Sequence, residues 1–459
     1  MSYQLVVRGR LVLDNEEVFG EIGINNGKIV DIQKEPGVLD SEKLLDFGTN
    51  YVFPGLIDAH VHCLSNPNEG FETTSRAAAV GGFTTIVDMP YDVPDPITNI
   101  KRFEDKVEKI EKNSLVDMGL WATITKTGGT DQIKHLAEQG AIAFKLSTLE
   151  ADPYRFPRIP DYEIIKAMEL IQETGLRIAF HAENDEIIKE LIKEYTKADK
   201  TYPRAHMETR PPVSETSAVL KLLEFAYWTQ VKLHIVHVSH PRTIDQINYF
   251  KDQGVNVTSE TCYPYLLLNV SALEAFGPKA KNNPPLRTSE DVEGLWRHLL
   301  NKKIDMITSD HVAWGTEHKK IEENNIFKSS PGLSGLEIMA PLLFEHMVLN
   351  GKFTSVDYAK LLAQYPSEVF QIPNKGKIEV GYDADFTVID ANQTWIIDEN
   401  KLHTNAKLTP FHGTKVRGKI VQTIVRGTTV YDGEQVSIEP GFGKVVRGSA
   451  YKAKAEKLI

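Results

Sequence analysis

The chain has 459 residues, long enough for one large domain and a smaller accessory domain. Its net charge of −11 and pI of about 5.8 argue against nucleic-acid binding, which requires a basic surface. No run of about 18 apolar residues appears, which excludes a membrane-spanning helix. Two cysteines, Cys63 and Cys262, and an N-terminus without a signal-peptide pattern predict free thiols and a cytoplasmic location.

Both ends of the chain show the pattern of short strands separated by turns. Near the N-terminus, Asn26-Gly27 between two apolar runs indicates a hairpin. Asp432-Gly433 marks a turn in a similar stretch near the C-terminus. Because chain ends commonly lie close together in a domain, we predict that residues 1–52 and 376–459 form one small, discontinuous β-sandwich-like domain.

Between these flanks, residues 53–375 alternate strand-like apolar runs with amphipathic, helix-like segments. Eight runs are typical of strands: PGLIDAHVH, TTIVDMP, MGLWATIT, AIAFKLS, LRIAFHAE, KLHIVHVS, VNVTSETCY and IDMITSDH. Helix-like segments such as PDYEIIKAMELIQETG lie between them, and several close on a glycine, among them Gly140 and Gly175. Eight such units over roughly 320 residues predict an α/β fold, a TIM-like (β/α)8 barrel.

Candidate functional residues lie at the carboxyl ends of these strands, where barrels of this kind carry their chemistry. The first strand ends in His60-Val61-His62, whose two imidazoles share one strand face and converge, as in half of a zinc-type site. Four later strands end in one candidate each: Lys145, His181, His237 and Asp310. Any one of these is more commonly a packed or solvated side chain, but agreement at five strand ends favours a binuclear metal site. His234 faces away from His237 by strand alternation and is interpreted as structural.

Lys145 follows an apolar run at the end of the fourth strand. A side chain that extends its ammonium group to water is the ordinary interpretation. If it is buried beside cations, desolvation and like charge lower its pKa and favour the neutral amine. A neutral amine can react with carbon dioxide, and the resulting carbamate is an anionic oxygen ligand able to bridge two metals.

Stretches along nearly the whole chain carry a resemblance to a known family. They include PGLIDAHVH, AAAVGGFTTIVDMP, HAEN, HIVHVS, ETCYPYL, NNPPLR, TSDH and GYDADFTVID, in family order. They resemble the cyclic amidohydrolases of the amidohydrolase superfamily: hydantoinase, dihydropyrimidinase, allantoinase and dihydroorotase. The run EGFETTSRAAAVGGFTTIVDMP and the tail beginning TPFHG are most similar to allantoinase and L-type hydantoinase.

The resemblance implies a hydrolase that opens the cyclic amide bond of a five-membered ureide such as allantoin or a hydantoin. It implies two divalent ions per chain, zinc first, with manganese, cobalt and iron as alternatives. The implied ligands are His60, His62 and Asp310 for the more buried ion, His181 and His237 for the second, and a carboxylated Lys145 that bridges both. Asp310 also corresponds to the general base that moves a proton to the leaving nitrogen.

Substrate contacts are implied for Asn283 and for the segment Ser330-Pro331-Gly332-Leu333, and Tyr154 resembles a tyrosine that supports the oxyanion in hydantoinases. Dihydroorotases carry an arginine shortly after the His-x-His pair, whereas Cys63-Leu64-Ser65 follows it here. We therefore expect neutral ureides to be better substrates than dihydroorotate, unless an arginine such as Arg287 or Arg76 reaches the pocket.

Several alternatives stay open at this point. Ring opening of the dihydroorotase or dihydropyrimidinase type is one, and a non-catalytic scaffold related to dihydropyrimidinase is another, although all six ligand positions are filled. A deaminase or phosphotriesterase-like hydrolase is disfavoured by HAEN, NNPPLR and DADFTVID. The expected partner is a small cyclic amide, with no nucleic acid or membrane, and the resemblance implies a homotetramer.

Overall fold

The computed structural model describes residues 2–453. In chain order, the strands in this range are β1 (Leu5–Val12), β2 (Glu17–Asn25), β3 (Lys28–Gln33), β4 (Leu44–Pro54), β5 (Leu56–His62), β6 (Phe83–Asp88), β7 (Asp117–Ala122), β8 (Ala143–Ser147), β9 (Arg177–His181), β10 (Lys232–Ile235), β11 (Val257–Cys262), β12 (Met306–Thr308), β13 (His311–Val312), β14 (Phe386–Ile396), β15 (Lys415–Val425), β16 (Thr428–Tyr431) and β17 (Val445–Val446).

The α-helices in the same range are α1 (Gly70–Val80), α2 (Ile100–Asn113), α3 (Ile133–Gln139), α4 (Asp161–Thr174), α5 (Asp185–Lys197), α6 (Ala205–Glu208), α7 (Pro212–Thr229), α8 (Pro241–Asp252), α9 (Tyr263–Leu267), α10 (Val270–Phe276), α11 (Ser289–Leu300), α12 (Thr316–Lys319), α13 (Met339–Phe344), α14 (Ser355–Ala359) and α15 (Tyr365–Val369). Turns of 3₁₀-helix span Thr130–Gln132, Gly277–Ala280, Ile326–Lys328 and Glu399–Lys401, and π-helical turns span Glu345–Leu349 and Lys360–Gln364. None of the helices described between residues 2 and 453 combines the length and the apolar character needed to cross a membrane.

A parallel barrel occupies the middle of the chain. Strands β5 to β12 pair with one another in sequence order. The eighth barrel strand is interrupted at Ser309-Asp310: β12 pairs with β11, and the chain resumes as β13, which pairs with β5 and closes the ring. All eight strands predicted from the sequence are present, and the TIM-like barrel is confirmed.

Helix α4 illustrates how the outer helices are built. Its buried residues Ile164, Ala167, Met168 and Ile171 recur at helical spacing and form one apolar stripe. The helix ends at Gly175, whose φ of 74° lies in the left-handed region that favours glycine. Strand β9 begins two residues later, so each strand starts at one end of the barrel and finishes at the opposite rim.

Strands from both chain ends form a second sheet, and this confirms the small β-domain. Its order is β16-β15-β14-β4-β1-β2-β3 within the described residues. Strand β4 joins the N-terminal strands to the C-terminal strands, because it pairs in parallel with β1 and antiparallel with β14. The domain limits at residues 52/53 and 375/376 stay a prediction.

Gly55 connects the small sheet to the barrel, between the end of β4 and the start of β5. A Cβ atom at this position would lie 2.2 Å from Thr84 Oγ1 and 2.7 Å from the Asp385 Cβ. These separations are too short for non-bonded atoms, so glycine allows the close approach of the two domains.

The last described segment of the chain returns to the barrel. Strand β17 pairs in parallel with β7, Val445 opposite Met118 and Val446 opposite Gly119. The backbone N–H of Gly448 then donates to the carbonyl of Gly140 at 3.0 Å. The segment lies where β7 begins, at the end of the barrel opposite the rim that carries the candidate ligands.

Candidate metal centre and active-site cavity

The predicted ligands converge on one cavity at the carboxyl rim of the barrel. The cavity has a volume of about 270 Å³. Its wall includes all six predicted ligands: His60 and His62 of β5, Lys145 of β8, His181 of β9, His237 after β10, and Asp310 between β12 and β13. They come from five strands, and they meet because parallel barrel strands end on the same side.

His60, His62 and Asp310 form the tightest group in this wall. The Nε2 atoms of His60 and His62 lie 3.1 and 3.3 Å from the same Asp310 oxygen. One ligand atom from each side chain lies within 4.8 Å of the others. Nε2 of His60 is buried and forms no hydrogen bond with any described residue. Nitrogen and oxygen donors directed at one point are the ligand set that a divalent ion of borderline softness requires.

His181 and His237 form a second pair beside the first group. Nδ1 of His181 lies 2.9 Å from Nε2 of His237, and the His60 and His237 ring centres are 5.6 Å apart. Nδ1 of His237 is buried and has no hydrogen-bond partner within residues 2–453. Burial, together with the nearby His181 and Lys145, holds the pKa of His237 well below its usual value. The ring therefore stays neutral, as a metal ligand must.

The backbone is strained at two of these ligand positions. His237 has a φ of 40° and Asp310 a φ of 47°, both in the left-handed region that costs a non-glycine residue roughly 1–2 kcal/mol. Each residue lies two positions after the last residue of a strand, where the turn directs its side chain into the cavity. Buried Asp58 helps to enforce this turn, since its carboxylate accepts the backbone N–H groups of His60 and Ser309.

Burial shifts the pKa of several groups in the cavity wall, but at Asp310 the neighbouring charges outweigh its effect. Desolvation lowers the pKa of Lys145 to about 8 and that of His62 to about 4. Burial also raises the pKa of Asp310, but His60 and the neighbouring histidines outweigh it and hold that pKa well below its usual value. The pocket thus favours an ionised Asp310, neutral rings at His62 and His237, and a Lys145 close to losing its proton.

Glu260 orients one half of the site, although it was not among the predicted site residues. One of its oxygens lies 2.5 Å from His60 Nδ1 and the other lies 3.1 Å from His234 Nε2. A carboxylate on the outer nitrogen of a ligand histidine holds the ring orientation and the tautomer. His234 also contacts Thr258 and stays out of the cavity, in agreement with the structural role predicted for it.

Glu183 orients His181 in the same way, and it too was not among the predicted site residues. Its Oε2 lies 2.8 Å from His181 Nε2 and accepts a hydrogen bond from Arg210 Nη1 at 2.6 Å. The signal was present in the sequence, because Glu183 stands two residues after His181 at the same strand end. Glu260 offered less signal, since it lies on β11, a strand with no predicted ligand.

Asn283 and Gly332 line the cavity, as expected of substrate contacts. The side-chain oxygen of Asn283 is buried and unpaired within the described residues. Leu333 lies outside the cavity wall: it is almost fully buried, and its carbonyl accepts the N–H of Val312 at 3.0 Å. Where this segment runs beside β13, Gly332 faces the cavity and Leu333 faces the core.

Tyr154 also lies outside the cavity wall. Its side chain is 55% exposed, and its hydroxyl lies 2.5 Å from an Asp95 oxygen and accepts a hydrogen bond from Arg102. The reason is local, because the Asp152 carboxylate accepts the backbone N–H groups of Tyr154 and Arg155 and forms a tight turn. That turn directs Tyr154 outward and the residues after it inward.

An aromatic pair takes the place expected for Tyr154. Phe156 stacks on Tyr91 with ring centres 3.8 Å apart, and both line the cavity. The Tyr91 hydroxyl donates to the backbone carbonyl of Lys145 at 3.0 Å, and the Phe156 ring lies 5.7 Å from that of His181. These two rings cover the candidate ligands from the side of strands β8 and β9.

The arginine in the cavity is Arg155, and neither arginine suggested from the sequence lines the wall. Arg287 is buried against Glu215 and the carbonyl of Arg210, and Arg76 forms a surface pair with Glu72. Arg155 follows Tyr154 in the turn. A turn has neither helical nor strand periodicity, so the sequence does not indicate which way its side chains point.

Comparison with known proteins now identifies the family. The model of the amidohydrolase family matches residues 51–430, which include the barrel and strands β14 and β15 of the small sheet. The chain belongs to the amidohydrolase family. Among curated members, it is 34% identical to an allantoinase of Desulfitobacterium hafniense (strain Y51), over 97% of this chain and 99% of that one. It is 30% identical to an allantoinase of Escherichia coli (strain K12), over 98% of both chains.

A solved structure supports the same assignment within the amidohydrolase family. The L-hydantoinase (dihydropyrimidinase) of Arthrobacter aurescens superposes with a TM-score of 0.94 at 30% identity, covering 97% of this chain and all of that one. These likenesses extend over the full length, and they confirm the resemblance to cyclic amidohydrolases that the sequence motifs indicated.

Proposed function

We propose that this protein hydrolyses the cyclic amide bond of a five-membered ureide, such as allantoin or a hydantoin. The observation that carries the proposal is the meeting of all six candidate ligands in one cavity. Full-length similarity to proteins named allantoinase and hydantoinase supports this reaction class. A filled set of ligand positions disfavours a non-catalytic scaffold.

We propose that two divalent ions occupy the centre, with zinc ahead of manganese, cobalt and iron. His60, His62 and Asp310 would hold one, His181 and His237 the other, and a carboxylated Lys145 would bridge them. When bound, such ions acidify a shared water and polarise the amide carbonyl. The buried nitrogens of His60 and His237 that form no hydrogen bond within the described residues support this occupancy, and the lowered pKa of Lys145 supports reaction with carbon dioxide.

The chain's own groups would move the proton and hold the ring. Asp310 takes a proton from the attacking water and delivers it to the leaving nitrogen, a role that its low pKa permits because the carboxylate starts ionised. The unpaired Asn283 oxygen accepts a ring N–H, which would otherwise lose its hydrogen bonds on entering the cavity. Tyr91 and Phe156 exclude water from one side.

A substrate panel tests the proposal directly. Metal-loaded protein is assayed at one pH with allantoin, hydantoin, dihydrouracil and dihydroorotate, and kcat/KM is compared. We expect the best five-membered ring to exceed both six-membered rings by tenfold or more. If a six-membered ring is preferred by tenfold, the reaction is of the dihydropyrimidinase or dihydroorotase type instead.

We also propose a homotetramer, as the resemblance implies. Large exposed side chains on α7, Leu220, Tyr227 and Trp228, support an interface on that outer face. Light scattering on the eluting protein measures the assembled mass against the 51.6 kDa chain. A cytoplasmic location stays a prediction.

A further inference from the structure

Arg155 is a cation in the cavity wall without a carboxylate to balance it. Its side chain makes one hydrogen bond with the described residues, from Nη1 to the Tyr91 carbonyl at 2.8 Å. Within residues 2–453, no carboxylate oxygen lies within 4.0 Å of its guanidinium. The buried arginines nearby differ, because Arg210 pairs with Glu183 at 2.6 Å and Arg287 with Glu215 at 3.5 Å.

The two carboxylates whose charges act on Arg155, those of Asp152 and Asp92, already have other partners. Asp152 accepts backbone N–H groups in the turn, and Asp92 forms an ion pair with Lys106 at 2.9 Å. Burial lowers the pKa of Arg155, which shows that its charge is partly desolvated without full compensation. A partly buried guanidinium with free N–H groups is destabilising until an anion binds it.

The rest of the cavity wall offers no other fixed charge. Apart from the six candidate metal ligands, Arg155 is the charged side chain among the described residues that line the cavity. Adjacent Phe156 has its ring centre 5.7 Å from that of His181, and Arg155 lines the same cavity as the candidate ligands. An entering molecule therefore meets the Arg155 guanidinium in the wall of the cavity that holds the candidate metal centre.

We infer that this protein prefers a five-membered ring with a carboxylate on its side chain over a neutral one, and that Arg155 binds that carboxylate. A planar guanidinium matches a carboxylate through two parallel hydrogen bonds. The inference rests on the proposed function and makes anionic five-membered ureides such as hydantoin-5-acetate its preferred substrates. It also revises the expectation of a neutral substrate, which depended on the absence of arginine after His62.

The test compares an acid with its neutral isostere. Wild-type protein and the variants Arg155→Gln and Arg155→Lys are assayed with hydantoin-5-acetate and hydantoin-5-acetamide. We expect wild-type kcat/KM to favour the acid by about 10- to 100-fold, since charge-assisted hydrogen bonds are the strong ones. Arg155→Gln should lose that preference while retaining turnover of the amide, and Arg155→Lys should keep part of it.

Arg158→Gln is the matched control, because Arg158 lies in the same loop, outside the cavity wall, and is 45% exposed. It should leave both substrates unchanged. Equal wild-type rates for acid and amide would overturn the inference, and so would an equal loss of both in Arg155→Gln, which would indicate a merely structural contact with Tyr91.

Binding separates this inference from the proposed function. Calorimetry with the ring-opened product N-carbamoylaspartate needs no turnover. We expect Arg155→Gln to weaken its binding at least tenfold relative to wild type and Arg158→Gln, even if no ring is hydrolysed. Unchanged product affinity would refute the role of Arg155, whereas tight product binding without hydrolysis would refute the reaction alone.

Discussion

Two clusters of ligand-type side chains lie at opposite ends of the barrel, and they differ in what fills them. His60, His62 and Asp310 meet at the carboxyl rim, and Asp117, Asp383 and Asp385 meet where β7 begins. In both clusters one ligand atom from each residue lies within 4.8 Å of the others. In the second, the ammonium of Lys375 lies 2.8, 2.9 and 2.7 Å from the three carboxylates.

The difference shows that residue type and spacing do not by themselves make a metal site. Lys375 contacts all three carboxylates from within the cluster, and Arg426 and Lys28 add positive charge at its edge. The cluster links β7 of the barrel to the small sheet. At the rim, no lysine or arginine described between residues 2 and 453 lies within 4.0 Å of Asp310. That carboxylate faces imidazoles, which leaves a place for external cations. We expect the carboxylate cluster around Lys375 to support stability and the cluster at the rim to support chemistry.

The largest effect is expected from Asp310→Asn at the rim. The amide keeps the shape of the side chain but cannot carry the proton, so kcat should fall by about 10²–10⁴-fold. Steady-state kinetics measure the loss, and circular dichroism with elemental analysis checks fold and metal content. A variant with wild-type kcat would show that another group is the base.

Lys145→Ala should come next in magnitude. Removing the bridging group should lower metal occupancy and reduce activity by about 100-fold or more, since even supporting residues of metal sites contribute roughly 10–100-fold. Elemental analysis and kcat are measured together, with exposed Lys126→Ala on the same rim as the control. An unmodified mass for Lys145 in fully active, metal-loaded protein would contradict the carbamate.

Lys375→Met tests the other cluster. It leaves Asp385 without its cation, whereas Asp117 keeps Arg426 and Asp383 keeps Lys28. Breaking a buried ion pair costs about 3–5 kcal/mol of unfolding free energy. Urea denaturation measures this loss, while kcat per folded molecule should stay at the wild-type value. Lys28→Ala is the control, because Lys28 pairs with Asp383 but is 41% exposed, and should cost no more than about 1 kcal/mol. A fall in metal content with Lys375→Met would contradict the division of roles.

Metal removal should also lower the stability of the fold. Purified protein should hold about two ions per chain, because six ligand positions converge. At a free metal concentration of 100 times Kd, one site stabilises the fold by about 2.7 kcal/mol, so chelation should lower Tm. Differential scanning calorimetry with and without chelator measures the shift. Identical Tm values in protein shown to lose its ions would contradict coupling between the rim cluster and the fold.

The ligand positions could be predicted because strand geometry determines them locally. His60 and His62 share a face at any strand with alternating side chains, and parallel strands place their ends on one rim. The same rules recovered all eight barrel strands. Glu183 follows from the same alternation and could have been found.

The loop after β8 could not be predicted in the same way. Tyr154 and Arg155 are neighbours in a tight turn, and no periodicity indicates which one faces the cavity. The Asp152 carboxylate decides it through two backbone hydrogen bonds. The tyrosine that lines the cavity, Tyr91, comes from a different loop.

The sequence by itself determined the barrel, the small β-domain built from both chain ends and the six candidate ligands, since each depends on short-range periodicity and strand ends. Only the tertiary structure decided which charges are paired. Glu260 contacts His60 although 200 residues of chain separate them. Lys375, which lies between α15 and β14, pairs with Asp117 at the start of β7. Charge compensation depends on distances of a few ångströms between remote parts of the chain, and for that reason the unpaired Arg155 became visible only in the folded molecule.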